Sequence, residues 1–463
     1  LREDHRAAQV VRIALDQANE ETAAKMVPPP PATEGHTYRF PREKGDLLEP
    51  NDLARLVTKD NLLVSDSSGS IFRYNGRYLE KITDGELKQL AMTYDVHKFT
   101  SQRRRGEVMA YIRDVSYLAE IPWRQLAASE VPCLNGVVDV HTCGVRPHRY
   151  ADFLETVVPW PYDPKERCPT WLSALQVWFA GPECEGKTDA LQEFMGYCLL
   201  PHARFKKALF LHGESDTGKS QVPLILKELV GMSNACTIST EEMADPRKRE
   251  DLVGKMVNLL TELPAEAMIA DSGFKQLVST GDPIAIDPKF QHRFTYTPFC
   301  KHVVVCNNLP DVSDRSHATF NRLLLIEFNN VIPKARQDKH LMDKLISELP
   351  GILAWCVEGA DRLIRSNGEF THIEESARAV GEYRESENPM VDWLRERTDE
   401  SEEGTIPMQQ IREKFIGWSG TRYGPKQIAR MLKSAGVVIK VQRVHGRAVR
   451  CAVGRSLSTP LSL

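Results

Sequence analysis

Apolar residues change their spacing several times along this chain, and each change predicts a different kind of element. Val10, Val11, Ile13, Leu15 and Ala18 stand among charges at helical intervals, and the run Pro28-Pro29-Pro30-Pro31 then removes the donors a helix needs. Residues 1–50 therefore read as an N-terminal helix and a proline-rich linker. Over 51–200 the period is mixed. Two aromatic-rich alternating runs within Ser70–Leu79 meet at Asn75-Gly76, which predicts a hairpin turn. Helical spacing returns around Asp84–Met92 and Gly106–Leu118, short strands are expected around Cys133–Val140, and amphipathic helices at Trp171–Ala180 and Leu191–Leu200. This stretch predicts an α+β unit that becomes helical toward its end.

From Lys207 to Ile332 short continuous apolar runs alternate with helical spacing, the pattern of a parallel sheet covered on both faces. Strands are expected at Ala208–Leu211, Met256–Leu260, His302–Cys306 and Leu323–Phe328, with a helical stretch over Asp338–Arg365. Residues 201–370 thus read as one α/β domain. The polar run Asp399-Glu400-Ser401-Glu402-Glu403-Gly404 reads as an exposed linker. Within the last segment, 385–463, helices at Met408–Trp418 and Pro425–Ala435 precede strands at Val437–Val444 and Arg447–Val453, joined at His445-Gly446. Two helices and a basic hairpin make a winged-helix-like pattern.

Composition narrows the classes. The chain has 463 residues, 41% of them hydrophobic and 27% charged, the balance of an ordinary globular protein with more than one folding unit. A formal net charge of -3 excludes a uniformly basic nucleic-acid coat, so any contact with DNA has to come from local patches. The ten cysteines are scattered, without a C-x-x-C pair, and read as reduced thiols rather than a metal site. No apolar run reaches the roughly 20 residues of a membrane span, and Leu1-Arg2-Glu3-Asp4-His5 has no signal-peptide character, so a cytoplasmic location is expected. A start without Met leaves two origins open, a piece of a longer polypeptide and a non-standard start codon.

The strongest local signal is Gly213-Glu214-Ser215-Asp216-Thr217-Gly218-Lys219-Ser220, which satisfies G-x-x-x-x-G-K-[ST] between an apolar strand and a helical run. In a P-loop the glycines let backbone N–H groups turn toward phosphates, Lys219 reaches the terminal phosphates of ATP and the Ser220 hydroxyl ligates Mg²⁺. An accidental glycine turn ahead of a helix is the bland alternative. Pro223 removes one N–H early in the helix and is tolerable only near its first turn.

A P-loop does not name the reaction, so the residues downstream have to choose. Val257-Asn258-Leu259-Leu260-Thr261-Glu262 is a strand ending in a carboxylate, which makes Glu262 the candidate general base and a support for Mg²⁺. Asn307, where a buried strand ends in Asn307-Asn308-Leu309-Pro310, is placed to bond the γ-phosphate or the attacking water; taken alone, that tetrapeptide is also an ordinary turn. Arg322, just before an apolar strand, is a candidate for a finger acting on a neighbouring subunit's nucleotide, with a surface salt bridge as its plain alternative. In the last segment Lys426, Arg430, Lys433, Lys440, Arg443, Arg447 and Arg450 concentrate positive charge and offer a face for duplex DNA, although such modules also dock proteins.

The order of these elements resembles the superfamily III helicases, and specifically the C-terminal helicase part of phage, plasmid and poxvirus primase-helicases. The resemblance is carried by the P-loop, by Thr261-Glu262, by Phe274-Lys275-Gln276-Leu277-Val278-Ser279-Thr280-Gly281-Asp282, and by Cys306-Asn307-Asn308-Leu309-Pro310 followed by Arg322-Leu323. Upstream, Asn135-Gly136-Val137-Val138-Asp139, Cys168-Pro169-Thr170-Trp171 and Met195-Gly196-Tyr197 resemble the domain that precedes the motor. The likeness covers Asn135 to Arg365. It implies an α/β fold with an AAA+-like P-loop NTPase core, ATP and Mg²⁺ at the subunit interfaces of a homo-hexamer, and DNA helicase activity. Movement is implied to run 3′-to-5′ on single-stranded DNA, alongside a primase domain or protein. The family also carries a basic hairpin into the channel, which here falls on Ile284–Thr295, with Lys289 near the tip and His292 and Arg293 behind it.

Two departures stand out. Thr261 replaces a second acid found in many relatives, and Asn321 stands where an arginine often pairs with the next, leaving Arg315 or Arg293 as rival fingers. A DNA-bound ATPase that loads, packages or marks an origin without unwinding remains the main competing reading. A small-molecule phosphotransferase fits less well with the basic hairpin and the winged-helix-like pattern.

Overall fold

The computed structural model describes residues 50–94, 102–261, 268–269, 271–278, 283–289, 293–312, 317–386, 389–420, 423–444 and 447–458. The helix and linker expected over 1–50 lie outside these residues, apart from Pro50. The first unit runs from helix α1 (Pro50–Asn61) through strands β1 (Leu63–Ser65), β2 (Ile71–Tyr74) and β3 (Leu79–Ile82) to helices α2 (Asp84–Tyr94) and α3 (Gln102–Ser116). The strands pair antiparallel in the order β1-β2-β3. Tyr74 faces Leu79 across the expected hairpin, so its loop holds residues 75–78 rather than two. The Asn75 side-chain oxygen accepts the N–H groups of Arg77 and Tyr78, each at 3.0 Å, and Gly76 takes the positive φ of 92° that the turn requires. Leu53, Val57, Leu87, Val108 and Ile112 form a core of their own here.

A second antiparallel sheet follows, β4 (Glu130–Cys133), β5 (Gly136–Asp139) and β6 (Val145–Arg146). Helices α4 (Pro169–Trp178) and α5 (Cys184–Leu199) then lead into the central sheet. The sheet's strands are β7 (Ala208–Gly213), β8 (Ala235–Cys236), β9 (Val257–Leu260), β13 (Lys301–Cys306) and β15 (Leu323–Phe328). Helix α6 (Gln221–Val230) lies between β7 and β8. Between β9 and β13 come β10 (Met268–Ile269), α7 (Asp271–Val278), β11 (Ile284–Ile286) and β12 (Phe294–Tyr296); β14 (Asp311–Val312) and α8 (His317–Phe320) precede β15.

All neighbours in the central sheet are parallel, in the order β15-β7-β13-β9-β8. The apolar runs that predicted these strands are buried along almost their whole length because both faces are covered. One face packs on α4, α5 and α6 through Trp171, Phe194, Leu226 and Phe328. The other packs on α7 and the β11–β12 hairpin through Phe210, Phe274, Ile284 and Tyr296. The two-residue strand β8 carries too few apolar positions for sequence patterning to detect.

Beyond β15, the expected helical stretch is two helices, α9 (Leu341–Ser347) and α10 (Leu349–Arg365), with α10 against α5. Helix α11 (Glu374–Ser386) lies along β15, where the Ser376 hydroxyl bonds the Leu325 carbonyl and the Tyr383 hydroxyl bonds that of Pro310. The last unit is α12 (Pro389–Arg397), β16 (Thr398–Pro407), α13 (Met408–Ser419), α14 (Pro425–Ser434), β17 (Val438–Val444) and β18 (Arg447–Leu457), with sheet order β16-β18-β17.

Here one expectation fails. The acidic run 399–404 is exposed at Asp399 and Glu400 but is not a linker: it lies within β16, where Asp399 and Glu400 pair antiparallel with β18 ahead of an irregularity between Glu400 and Thr405. The partner strand explains the difference, since Glu400 faces Arg455 and the two side chains pair at 3.2 Å. Among the described residues no helix is long and apolar enough to cross a membrane.

Candidate active site

Gly213 ends β7 and Gln221 begins α6, so the glycine-rich loop joins a buried strand to a helix N-terminus. Its turn uses positive φ at Gly213 (153°), Asp216 (62°) and Gly218 (89°). Two of these positions have no room for a side chain. A Cβ on Gly213 would stand 2.3 Å from the Phe328 carbonyl oxygen, and one on Gly218 2.3 Å from Trp178 Nε1. The Thr217 hydroxyl donates to the Glu214 carbonyl at 2.9 Å, and from the exit of β15 the Ile332 N–H donates to that of Asp216 at 2.8 Å.

Lys219 is buried, and its Nζ donates to the Glu214 carbonyl at 2.7 Å. Burial pushes its ammonium pKa down, so the site is one that an incoming anion would stabilise. Ser220 precedes the first turn of α6, is exposed, and makes no capping bond with its hydroxyl. Pro223 falls in that first turn, where its missing N–H costs little.

Strand order brings β13 beside β7, with Cys306 level with His212, so Asn307 emerges next to the glycine loop. An open cavity of about 780 Å³ is lined by Gly213–Ser215, by Asn307 and Asn308, and by Phe328, Asn329 and Val331 at the exit of β15. That volume is of the size that holds cofactors. Magnesium is usually held by one or two protein groups plus substrate phosphates. The uncommitted Ser220 hydroxyl fits that arrangement. Among the described residues no group of three or more His, Cys, Asp or Glu side chains is placed to hold a metal unaided.

Other expected site residues are dispersed. Glu262 lies just outside the described residues; Thr261, which leads to it, is exposed at the end of β9. His292 and Arg315 lie outside as well. Arg322 sits at the opposite end of the sheet, where its carbonyl accepts the Ala208 N–H at 2.8 Å. The six residues of β15, about 20 Å of strand, separate it from the cavity in its own chain. Lys289 and Arg293 are exposed on the connection between β11 and β12, which pair antiparallel with Ile286 facing Phe294.

The root of that hairpin is held by a cluster that sequence reading did not single out. Arg124 pairs with Glu155, reaches the Tyr296 hydroxyl at 3.2 Å and the Thr297 carbonyl at 2.7 Å, and stacks over the Phe299 ring at 4.3 Å. The Tyr296 hydroxyl donates to Glu155 at 2.9 Å and accepts the Gly254 N–H. Arg124→Ala is expected to lower stability by about 3–5 kcal/mol, because Glu155 is left charged and buried. Urea denaturation checks this, and Arg124→Ala/Glu155→Gln should recover part of the loss. An isolated arginine carries no sequence pattern that marks it as buried.

In the last unit Lys426, Arg430 and Lys433 are exposed at helical spacing on α14, while Ile428 and Leu432 face the core. Lys440 and Arg443 on β17 and Arg450 on β18 are exposed too, and Arg447 opens β18. Positive charge is therefore shared by a helix and the adjoining hairpin.

Comparison with known proteins matches two separate segments. Residues 51–180 match the family model described as D5 N terminal like, and residues 211–322 match a family of unknown function, DUF5906. Among solved structures, the fold is similar to the A-form apo structure of the NrS-1 C-terminal region, with 15% identity over 88% of this chain and 100% of that one, at a TM-score of 0.52. A second structure of that region, covering 305–718, matches at 14% identity over 88% of this chain and 99% of that one, at a TM-score of 0.49. At such identity the likeness concerns the fold alone.

Proposed function

We propose that this chain is the ATP-driven motor of a phage- or plasmid-type replicative DNA helicase. One observation carries the reading: a glycine-rich loop with an inward Lys219 opens on the same cavity as Asn307, at the C-terminal edge of a parallel sheet. That edge is where open α/β sheets bind ligands. The loop's N–H groups and the N-terminus of α6 hold the triphosphate, Lys219 neutralises its terminal charge, and Ser220 ligates Mg²⁺. The metal polarises the phosphoryl group when bound. Glu262 orients and deprotonates the attacking water, and Asn307 bonds the γ-phosphate.

Arg322 belongs to the neighbouring subunit's site in a homo-hexameric ring, a role compatible with its place at the far end of β15. Lys289, His292 and Arg293 grip single-stranded DNA, with 3′-to-5′ movement expected. The helix–strand–helix–helix–hairpin order of the last unit supports a winged helix whose α14 and β17–β18 face duplex DNA. The two matched families occur in phage and archaeo-eukaryotic primase-helicases, which supports a primase domain or protein as partner.

Strand displacement on a 3′-tailed duplex tests the motor. Unwinding that requires ATP supports it; hydrolysis without displacement points instead to a DNA-bound loader or packaging ATPase. Lys289→Ala is expected to cut the ratio of DNA-stimulated to unstimulated hydrolysis roughly five-fold, through loss of one phosphate contact per subunit. An unchanged ratio would remove the hairpin from the mechanism.

A further inference from the structure

A titratable pair borders the glycine loop: His212, the residue before Gly213, and Glu327, its register partner on β15. His212 Nδ1 lies 3.4 Å from Glu327 Oε1 and is buried without a well-formed hydrogen bond. The imidazole lines the cavity. The two ring nitrogens flank Cε1 and point in diverging directions, so an Nδ1 turned to Glu327 directs Nε2 away from that carboxylate. No protein group among the described residues bonds Nε2.

The surroundings keep Glu327 charged. Its carboxyl is held below the usual range first by His212, then by Lys187 and Arg378. Lys187 donates to the Glu327 carbonyl at 2.8 Å and pairs with Glu375 at 2.7 Å. On the other side of His212 stands Cys306, whose thiol is pushed up to about 12 by burial and stays neutral. A carboxylate behind an imidazole fixes its orientation.

We infer that His212 is a phosphate-contacting residue of this pocket, its Nε2 donating to the terminal phosphate of a bound nucleoside triphosphate while Glu327 positions the ring. The inference rests on the nucleotide reading above. Its consequence is a sign. A terminal phosphate bonded to the ring favours the imidazolium, so binding takes up a proton and affinity falls as pH rises through the imidazole range. A nucleoside diphosphate, lacking the contacted group, should show little of this.

The test is the affinity of the full chain for a Mg²⁺-complexed non-hydrolysable ATP analogue and for Mg-ADP, at about pH 6 and about pH 8. His212→Gln is expected to weaken the analogue about five-fold at the lower pH, less than about two-fold at the higher, and to leave ADP unchanged. Glu327→Gln should keep the imidazole but loosen its orientation, weakening the analogue about three-fold and leaving ADP unchanged. Because it keeps the imidazole, that variant decides the matter even if His212→Gln does not fold. A wild-type pH response in His212→Gln, unaltered analogue affinity in Glu327→Gln, or equal loss for both nucleotides, overturns the role. If the unaltered chain bound neither nucleotide, the nucleotide reading itself would fail. If it bound both and Lys219→Ala did not, while His212→Gln matched the unaltered chain, only the His212 role would fall.

Discussion

Lys219→Ala is expected to abolish ATP hydrolysis and strand displacement together, with turnover reduced at least about 100-fold. The ammonium is buried, and its Nζ donates to a carbonyl of the same loop, Glu214, at 2.7 Å. A cation in that position is held at a cost that the Glu214 carbonyl and the nearby Asp216 offset in part and that a bound anion would offset further. On the proposed function, alanine removes the charge that would face the transferring phosphoryl group but leaves the backbone turn in place. Phosphate release and displacement of a labelled strand should therefore disappear, while the melting temperature without nucleotide stays near that of the unaltered chain. Retained unwinding would refute the motor.

The second large effect is expected at Gly218. Alanine there meets two independent obstacles, a φ of 89° that side chains rarely adopt and a Cβ position 2.3 Å from Trp178 Nε1. Trp178 cannot yield. It is 2% exposed, edge-on to Trp171 at 5.7 Å and against Phe328 at 6.4 Å. Gly218→Ala should lower stability by about 2–4 kcal/mol and nucleotide affinity by about 100-fold, since the loop can relieve the clash only by leaving the shape that presents its N–H groups. Denaturant unfolding and equilibrium binding of Mg-ADP read the two effects separately. An alanine variant with unaltered midpoint and affinity would mean that Trp178 does not support the loop.

The features that could be read along the chain are those that depend on near neighbours. The runs at Ala208–Leu211, His302–Cys306 and Leu323–Phe328 are strands because apolar continuity reports burial on both faces, and burial is what a parallel sheet imposes. The glycine loop could be placed between strand and helix for the same reason, as could the hairpin at Asn75-Gly76. Periodicity reports how much of an element is covered, but not what covers it. It therefore missed the two-residue β8, whose strand character comes from Asn258 and its neighbours on β9. It also misread 399–404 as a linker, where an arginine-bearing partner strand supplied a ladder.

By itself the sequence determined the long strands and helices, where the chain turns on glycine, and which residues are candidates for phosphate chemistry, because each follows from side-chain character within a few positions. Only the tertiary structure decided that β13 lies between β7 and β9, putting Asn307 beside the loop while Arg322 lies at the far end of β15. It likewise decided that Trp178 backs Gly218, that Arg124 anchors the hairpin, and that Glu327 stands behind His212. Strand order and such pairings join residues tens to more than a hundred positions apart. They are set by which buried faces fit together, a property of the whole packed chain that no local stretch contains.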